Sequence, residues 1–249
     1  FYNQLLPRTP LARSIDLKLE KSVLHAADDV IVVSPSMEDL QKGITDRPYQ
    51  VIPNGFDHED FEDLTMSDQQ NKIFTIRHIG TLSETAVPVA LFKALDLLPY
   101  RFDFRLEFIG SVHEQVKELT RKCVVSDRIT FIDYLPHSEA IRAMATSDLL
   151  LLVIPNVENN ELILTGKIFE YVATGKPILM LGPVHGDAAG ILDNLNQGAS
   201  FGYGDTDGLL NYLKQAISRR QCARSPMQDL ARHPYSRIQL TRKLADLIT

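Results

Sequence analysis

From residue 73 onward, apolar and polar positions alternate between two rhythms. Short apolar runs of strand length appear at "KIFTIRHIG", "RLEFIG", "ITFIDYL", "DLLLLVI", "PILML" and "ASFGYG". Between them, apolar residues recur at helical spacing over 86–98, 112–122, 137–146, 167–174, 186–195 and 206–219. Strands that alternate with helices predict a parallel sheet covered on both faces. Six strands and five crossovers make one doubly wound, Rossmann-like α/β domain.

The chain before residue 73 reads differently. Residues 10–27, "PLARSIDLKLEKSVLHAA", carry Leu11, Ile15, Leu19, Val23 and Leu24 at helical spacing and predict an amphipathic helix. "DDVIVVS" follows as a buried strand. Ser34-Pro35 then opens a short helix, with Ser34 as cap and Pro35 at the first helical position. The run "YQVIPNG" ends in a strong turn signal, and "DLTMSDQQNK" beyond it is polar and patternless, so a domain boundary is expected here. The last segment, "SRIQLTRKLADLI", predicts another amphipathic helix. The expected organisation is 1–52, 53–235 and 236–249.

Composition narrows the function classes. With 44% hydrophobic and 23% charged residues the chain is of ordinary globular type. Its net charge is −6 and its basic residues are scattered, which argues against a nucleic-acid surface. No apolar run approaches the roughly 18–20 residues of a spanning helix. Cys123 and Cys222 belong to no Cys/His cluster and are expected to be reduced thiols in a cytoplasmic protein. The start at Phe1, with no signal-peptide pattern, is expected of a piece of a longer protein.

In an open parallel sheet, ligands bind beyond the carboxyl ends of the strands, where the strand order reverses. The loops after the strands are therefore the places for chemistry. After the first strand, "GTLSET" lacks the G-x-G-x-x-G fingerprint of a dinucleotide site, and no Walker A loop occurs anywhere. Gly80 there either lets the backbone approach a ligand closely or simply turns the chain. Gly110 and Ser111 follow the second strand, and Ser111 reads more readily as a helix cap than as a ligand group. Asp133 and Tyr134 follow the third strand. His137 begins the next helix, where capping accounts for the region and no partner is in sight to tune the imidazole.

The longest such loop, "PNVENNELILTG", runs into "KIFEYVATGKP". The free N–H groups and positive dipole end of that helix suit a diphosphate on Leu164, Thr165, Gly166 and Lys167. Glu170 stands three residues beyond Lys167, on the same side. It either pairs with Lys167 on a solvated surface or accepts hydrogen bonds from a vicinal diol such as a ribose. Gly175 ends the helix in a left-handed conformation, and Pro177 blocks its continuation.

These stretches resemble a known family. "GKIFEYVATGKPIL" is similar to the carboxyl-terminal signature of GT-B glycosyltransferases of family GT4, the glycosyl transferases group 1. "ADDVIVVSPSMEDLQ", "VIPNGFD", "IGTL", "FIDYLPHSEAIRAMATSDLLLLVIP" and "GPVHGDAAGIL" agree with it in order and spacing, so the resemblance covers about residue 20 to the end. It implies the carboxyl-terminal half of a GT-B fold, with residues 1–52 as a remnant of the acceptor domain and 236–249 as a helix packing back on that remnant. It implies a nucleotide-sugar donor, with the ribose on Glu170 and the diphosphate on Leu164–Lys167 and on Gly80, Thr81 and Leu82. The loops at Gly110 and at Asp133, Tyr134 and Leu135 would lie near the base. Transfer would proceed with retention and without a metal or resident cofactor. The acceptor, a glycan or lipid-linked molecule, would be read by the missing domain, and the full-length enzyme would be cytoplasmic with peripheral membrane contact.

Two departures stand out. The position of the family's first Glu is Leu162, with Glu161 out of step. The basic residues common after the first strand are replaced by Thr81 and the Thr85–Ala86 region, so leaving-group stabilisation falls to Lys167. The alternatives are a non-catalytic nucleotide-sugar-binding module and a GT-B-fold epimerase. An epimerase would need acid/base groups that these loops scarcely offer.

Overall fold

The computed structural model describes residues 9–62, 64, 72–219 and 229–248. The polar boundary segment falls mostly outside these residues, as does Cys222. The described residues form eight strands and nine α-helices. The amino-terminal part contains α1 (Pro10–Ala26), β1 (Ile31–Val32), α2 (Pro35–Lys42) and β2 (Gln50–Val51). The larger unit runs β3 (Phe74–Ile79), α3 (Val89–Asp96), β4 (Phe104–Ile109), α4 (Glu114–Arg121), β5 (Ile129–Ile132), α5 (His137–Ala145) and β6 (Leu149–Val153). It continues with α6 (Gly166–Ala173), β7 (Ile178–Leu181), α7 (Asp187–Leu195), β8 (Gly198–Phe201) and α8 (Thr206–Arg219), before α9 (Arg237–Ile248) closes the chain.

β3–β8 form one parallel sheet in the order β5-β4-β3-β6-β7-β8. Its central strands are apolar on both sides, since helices cover both faces. One core gathers Leu91 and Leu95 of α3, Val116 of α4 and Leu209 and Leu213 of α8. The other gathers Ile141 of α5, Ile168, Phe169 and Val172 of α6, and Ile191 and Leu192 of α7. The strand order reverses between β3 and β6, which is where an open parallel sheet forms its crevice.

The amino-terminal part is thinner than its sequence pattern predicts. β1 and β2 make a two-stranded parallel sheet, and only Val32 of β1 is buried. "DDVIVVS" is thus not a buried strand over its length, because only one neighbour pairs with it. The helical spacing of α1 is real, yet none of its residues is buried, and Leu11, Leu19 and Val23 are 72, 61 and 67% exposed. Ser34 caps α2 as expected, accepting from the Met37 N–H at 3.3 Å, with Pro35 in the first turn. The segment around Phe56 is stitched to the start of the carboxyl-terminal helix: Phe56 donates its N–H to the Tyr235 carbonyl at 3.0 Å, and Arg237 donates to the Phe56 carbonyl at 2.9 Å.

Two glycines fix how the strands end on the ligand side. Gly80 has φ 115° and Gly110 has φ 111°, a region that side chains rarely enter. A Cβ on Gly110 would lie 2.8 Å from the Gly80 carbonyl oxygen, a backbone atom that cannot swing away. Gly110→Ala should therefore cost at least about 2 kcal/mol, from strain and collision together, read as a lowered urea midpoint at unchanged slope.

Candidate functional site

The loops after β3 and β4 run side by side for two further residues. Gly80 donates its N–H to Ile109 at 2.7 Å, Leu82 donates to Ser111 at 2.8 Å, and His113 donates to Leu82 at 2.9 Å. Leu82 bridges Val112 and is buried in the core, so both its backbone groups are already engaged. Thr81 remains exposed. This extended pairing also corrects the expected cap of α4. The chain reaches residue 113 before it turns, so His113, not Ser111, accepts from the Gln115 N–H.

The loop after β6 is tied back to the same rim. Asn156 donates to the Thr85 carbonyl at 2.7 Å, and Asn160 donates to the Tyr203 hydroxyl at 2.8 Å. Tyr203 in turn reaches the Ile154 and Pro155 carbonyls at 3.0 Å. The loop so held delivers α6 to the crevice between β3 and β6. Thr165 precedes this helix in an extended conformation, but its hydroxyl caps nothing. That oxygen is buried and has no hydrogen-bond partner among the described residues. Gly166 is exposed, and a Cβ built on it would meet nothing within 4 Å. No side chain caps the first turn of α6, at the positive end of the helix, where Ile168 alone donates its N–H back, to the Thr165 carbonyl at 3.2 Å. Leu164 turns the other way, onto the α5–α7 core.

Lys167 does not form the surface pair with Glu170 that its spacing allows. Its ammonium turns into the crevice and lies 3.3 Å from His78 Nε2. Its stem crosses Gly80, where a Cβ would come within 2.9 Å of Lys167 Cε. Burial lowers the Lys167 ammonium to about 8, against a smaller raising effect of Glu170. His78 is wholly buried, and burial, then the neighbouring Lys167 charge, lower it to about 3.

Glu170 is half-buried, and among the described residues no hydrogen bond or ion pair engages its carboxylate. Burial raises its pKa; His137, Lys167 and Arg237 act against that rise and Asp60 with it. His137 is not the partnerless histidine its sequence context shows. Its Nε2 lies 3.0 Å from Asp60 Oδ2, and that hydrogen bond raises the imidazole's pKa. Nor does a side chain cap α5, since Pro136 occupies the cap position. Gly175 follows α6 with φ 67°, as expected.

The remaining candidates lie along the same edge at increasing distance. β5 is two strands from β3, roughly 10 Å at ordinary strand spacing. Asp133 and Tyr134 stand in the loop beyond it, Tyr134 82% exposed, while Leu135 packs against the α5–α7 core. No contact of Asp133 or Tyr134 with Lys167 or Glu170 is found among the described residues, although the loop leads directly into His137, whose charge acts on Glu170. Among the described residues no group of three or more His, Cys, Asp or Glu is placed to hold a metal, and no helix is long and apolar enough to cross a membrane.

No family profile and no curated protein matches the sequence. Solved structures do match the fold. HepE of Anabaena, in complex with UDP-glucose, superimposes with a TM-score of 0.69 at 20% identity, over 94% of this chain and 67% of HepE. Sucrose-phosphate synthase of Thermosynechococcus elongatus gives 0.71 at 17% identity, over 99% of this chain and 64% of the synthase. A glycosyltransferase of Rickettsia africae gives 0.72 at 17%, over 93% of this chain and 65% of the other. The chain thus has the Rossmann-like sheet of the GT-B glycosyltransferase fold and spans about two thirds of the length of each of these structures.

Proposed function

We propose that this chain is the donor-binding portion of a retaining glycosyltransferase of the GT4 type. The whole enzyme would move a sugar from a nucleotide-diphosphate sugar to a glycan or lipid-linked acceptor, at the cytoplasmic side and in peripheral contact with a membrane, in polysaccharide or glycolipid synthesis. Residues 1–52 and 236–249 would belong with the acceptor domain.

One observation carries the reading. The uncapped start of α6, the unpartnered Thr165 hydroxyl and the Lys167 ammonium converge at the strand-order reversal. Together they suit a diphosphate. Glu170, one turn further on, has a carboxylate that no group among the described residues engages, which suits the ribose diol. The leaving diphosphate would be stabilised by the helix end and by Lys167. Gly80 and Thr81 would border the diphosphate, and the edge from Gly110 to Tyr134 would lead towards the base. HepE is seen with UDP-glucose, so uridine is the first base to try.

Titration calorimetry with UDP, GDP and ADP tests this directly. One nucleotide is expected to bind, and Glu170→Ala is expected to weaken it on the order of one hundred-fold. Binding of none, by this chain and by the full-length protein alike, would refute the donor site. A second reading, a nucleotide-sugar-binding module without turnover, is favoured by Leu162 at the place of the family's first Glu. Nucleotide binding with no transfer by the full-length protein would select it.

A further inference from the structure

We propose that His78 is a positioning residue, whose Nε2 holds the Lys167 ammonium in the crevice between β3 and β6. As a statement about donor binding this rests on the donor-site reading above.

The geometry begins with the way the two strands part. β3 and β6 pair only through Ile76 with Leu149 and Arg77 with Leu150, although β3 continues to Ile79 and β6 to Val153. Beyond Arg77 their backbone groups need other partners, because buried N–H and carbonyl groups are costly to leave unpaired. Side chains supply them. Ile79 donates its N–H to the Tyr171 hydroxyl at 2.9 Å, and the Leu151 carbonyl lies 3.0 Å from His78 Nδ1. The Tyr171 hydroxyl also donates to the Leu151 carbonyl at 3.5 Å, so His78 and Tyr171 together replace the missing rung where the two strands part.

That role determines the chemistry of His78. The ring meets two backbone acceptors, the Leu151 carbonyl at Nδ1 and the Thr81 backbone, but a neutral ring has one proton, and the Lys167 ammonium at Nε2, which can only donate, leaves that proton on Nδ1. Burial and the neighbouring ammonium keep the ring neutral, so Nε2 presents a lone pair. Lys167 can only donate, and its Nζ lies 3.3 Å from that lone pair. No other hydrogen bond to this ammonium is found among the described residues. Gly80 completes the seat, since any side chain there would occupy the path of the lysine stem. An ammonium fixed in advance loses little freedom when an anion arrives. The titratable group acting on Lys167 is Glu170 from its own helix, while the Lys167 charge in turn lowers His78 on β3.

A double-mutant cycle separates positioning from plain support of the fold. UDP, GDP or ADP, whichever the wild type binds, would be titrated into the wild type, His78→Leu, Lys167→Met and the double variant, alongside the corresponding nucleoside. With Lys167 present, His78→Leu should weaken the diphosphate on the order of ten-fold. With Met at 167 the same change should have almost no effect, and nucleoside affinity should not change in either background. An equal loss in both backgrounds would overturn the proposal. Should His78→Leu not fold, His78→Asn takes its place: the shorter amide can still serve the Leu151 carbonyl but falls short of Lys167. A second measurement needs no ligand. NMR titration of the Lys167 amine should find its midpoint near 8 in the wild type and displace it by about one unit or more in the His78 variant. An unchanged midpoint would also overturn the proposal. If neither this chain nor the full-length protein binds any of the three nucleotides, the donor-site reading fails, while the amine titration still decides whether His78 holds Lys167.

Discussion

Between pH 7 and pH 5 the wild-type chain should lose about 2 kcal/mol more stability than a His78→Gln variant. The folded imidazole resists protonation down to about 3, against 6.5 for a free histidine. In the window between those values the unfolded chain takes up a proton that the folded chain refuses. The unfolded state therefore binds more protons, and stability falls as the pH falls, by about 1.4 kcal/mol per unit once well below 6.5. Above 6.5 both states are neutral at this site and the contribution is complete. Carboxylates titrate in both proteins, so the difference between the two chains isolates residue 78. Urea unfolding at a series of pH values measures it. Parallel curves for the two proteins would mean that His78 is protonated, or reachable by solvent, in the folded state.

His78 also shows where a sequence stops being readable. The six strands and their helices are legible because burial on two faces leaves long apolar runs at helical or strand spacing, as in "DLLLLVIP" and "IFEYVA". Ser34-Pro35 and Gly175 are legible because caps act within a few residues of themselves. The partners that define the site are not local. Lys167 meets His78 across 89 positions, and His137 meets Asp60 across 77. No periodicity encodes such a contact; it depends on which strands become neighbours. His78 itself looks like one polar residue in an apolar strand. The only hint is that hydrogen-bonding need, since a buried ring nitrogen must find a partner. Ser111 was misleading for the opposite reason. It is a good capping residue, but two more residues of pairing between the β3 and β4 loops moved the turn to His113. The exposed apolar residues of α1 extend the same point: helical spacing announces a face to be covered, and among the described residues nothing covers it.

Replacing Glu170 should weaken nucleoside diphosphate binding on the order of one hundred-fold, the loss expected for hydrogen bonds to a charged group in a half-buried position. The sugar hydroxyls make the test specific. A 2′-deoxynucleotide should bind the wild type about ten-fold more weakly than its ribose counterpart, yet bind Glu170→Ala with nearly the same affinity as that counterpart does. Equal discrimination in both proteins would remove Glu170 from ribose recognition while leaving the diphosphate site standing. The pH dependence follows from the same carboxylate. Burial raises its pKa in the free protein, and hydrogen bonds from a diol favour the ionised form. Binding then releases a proton, so affinity climbs as the pH rises through the raised Glu170 value. On the alkaline side the ammonium of Lys167 is lost above about 8, and a diphosphate favours its charged form, so affinity falls again. A plateau is expected between the two. The groups acting on Glu170 are His137, Asp60, Lys167 and Arg237. Glu170→Gln should flatten the acidic limb alone, and Lys167→Met the alkaline limb alone, because each variant removes one titrating group and keeps the other.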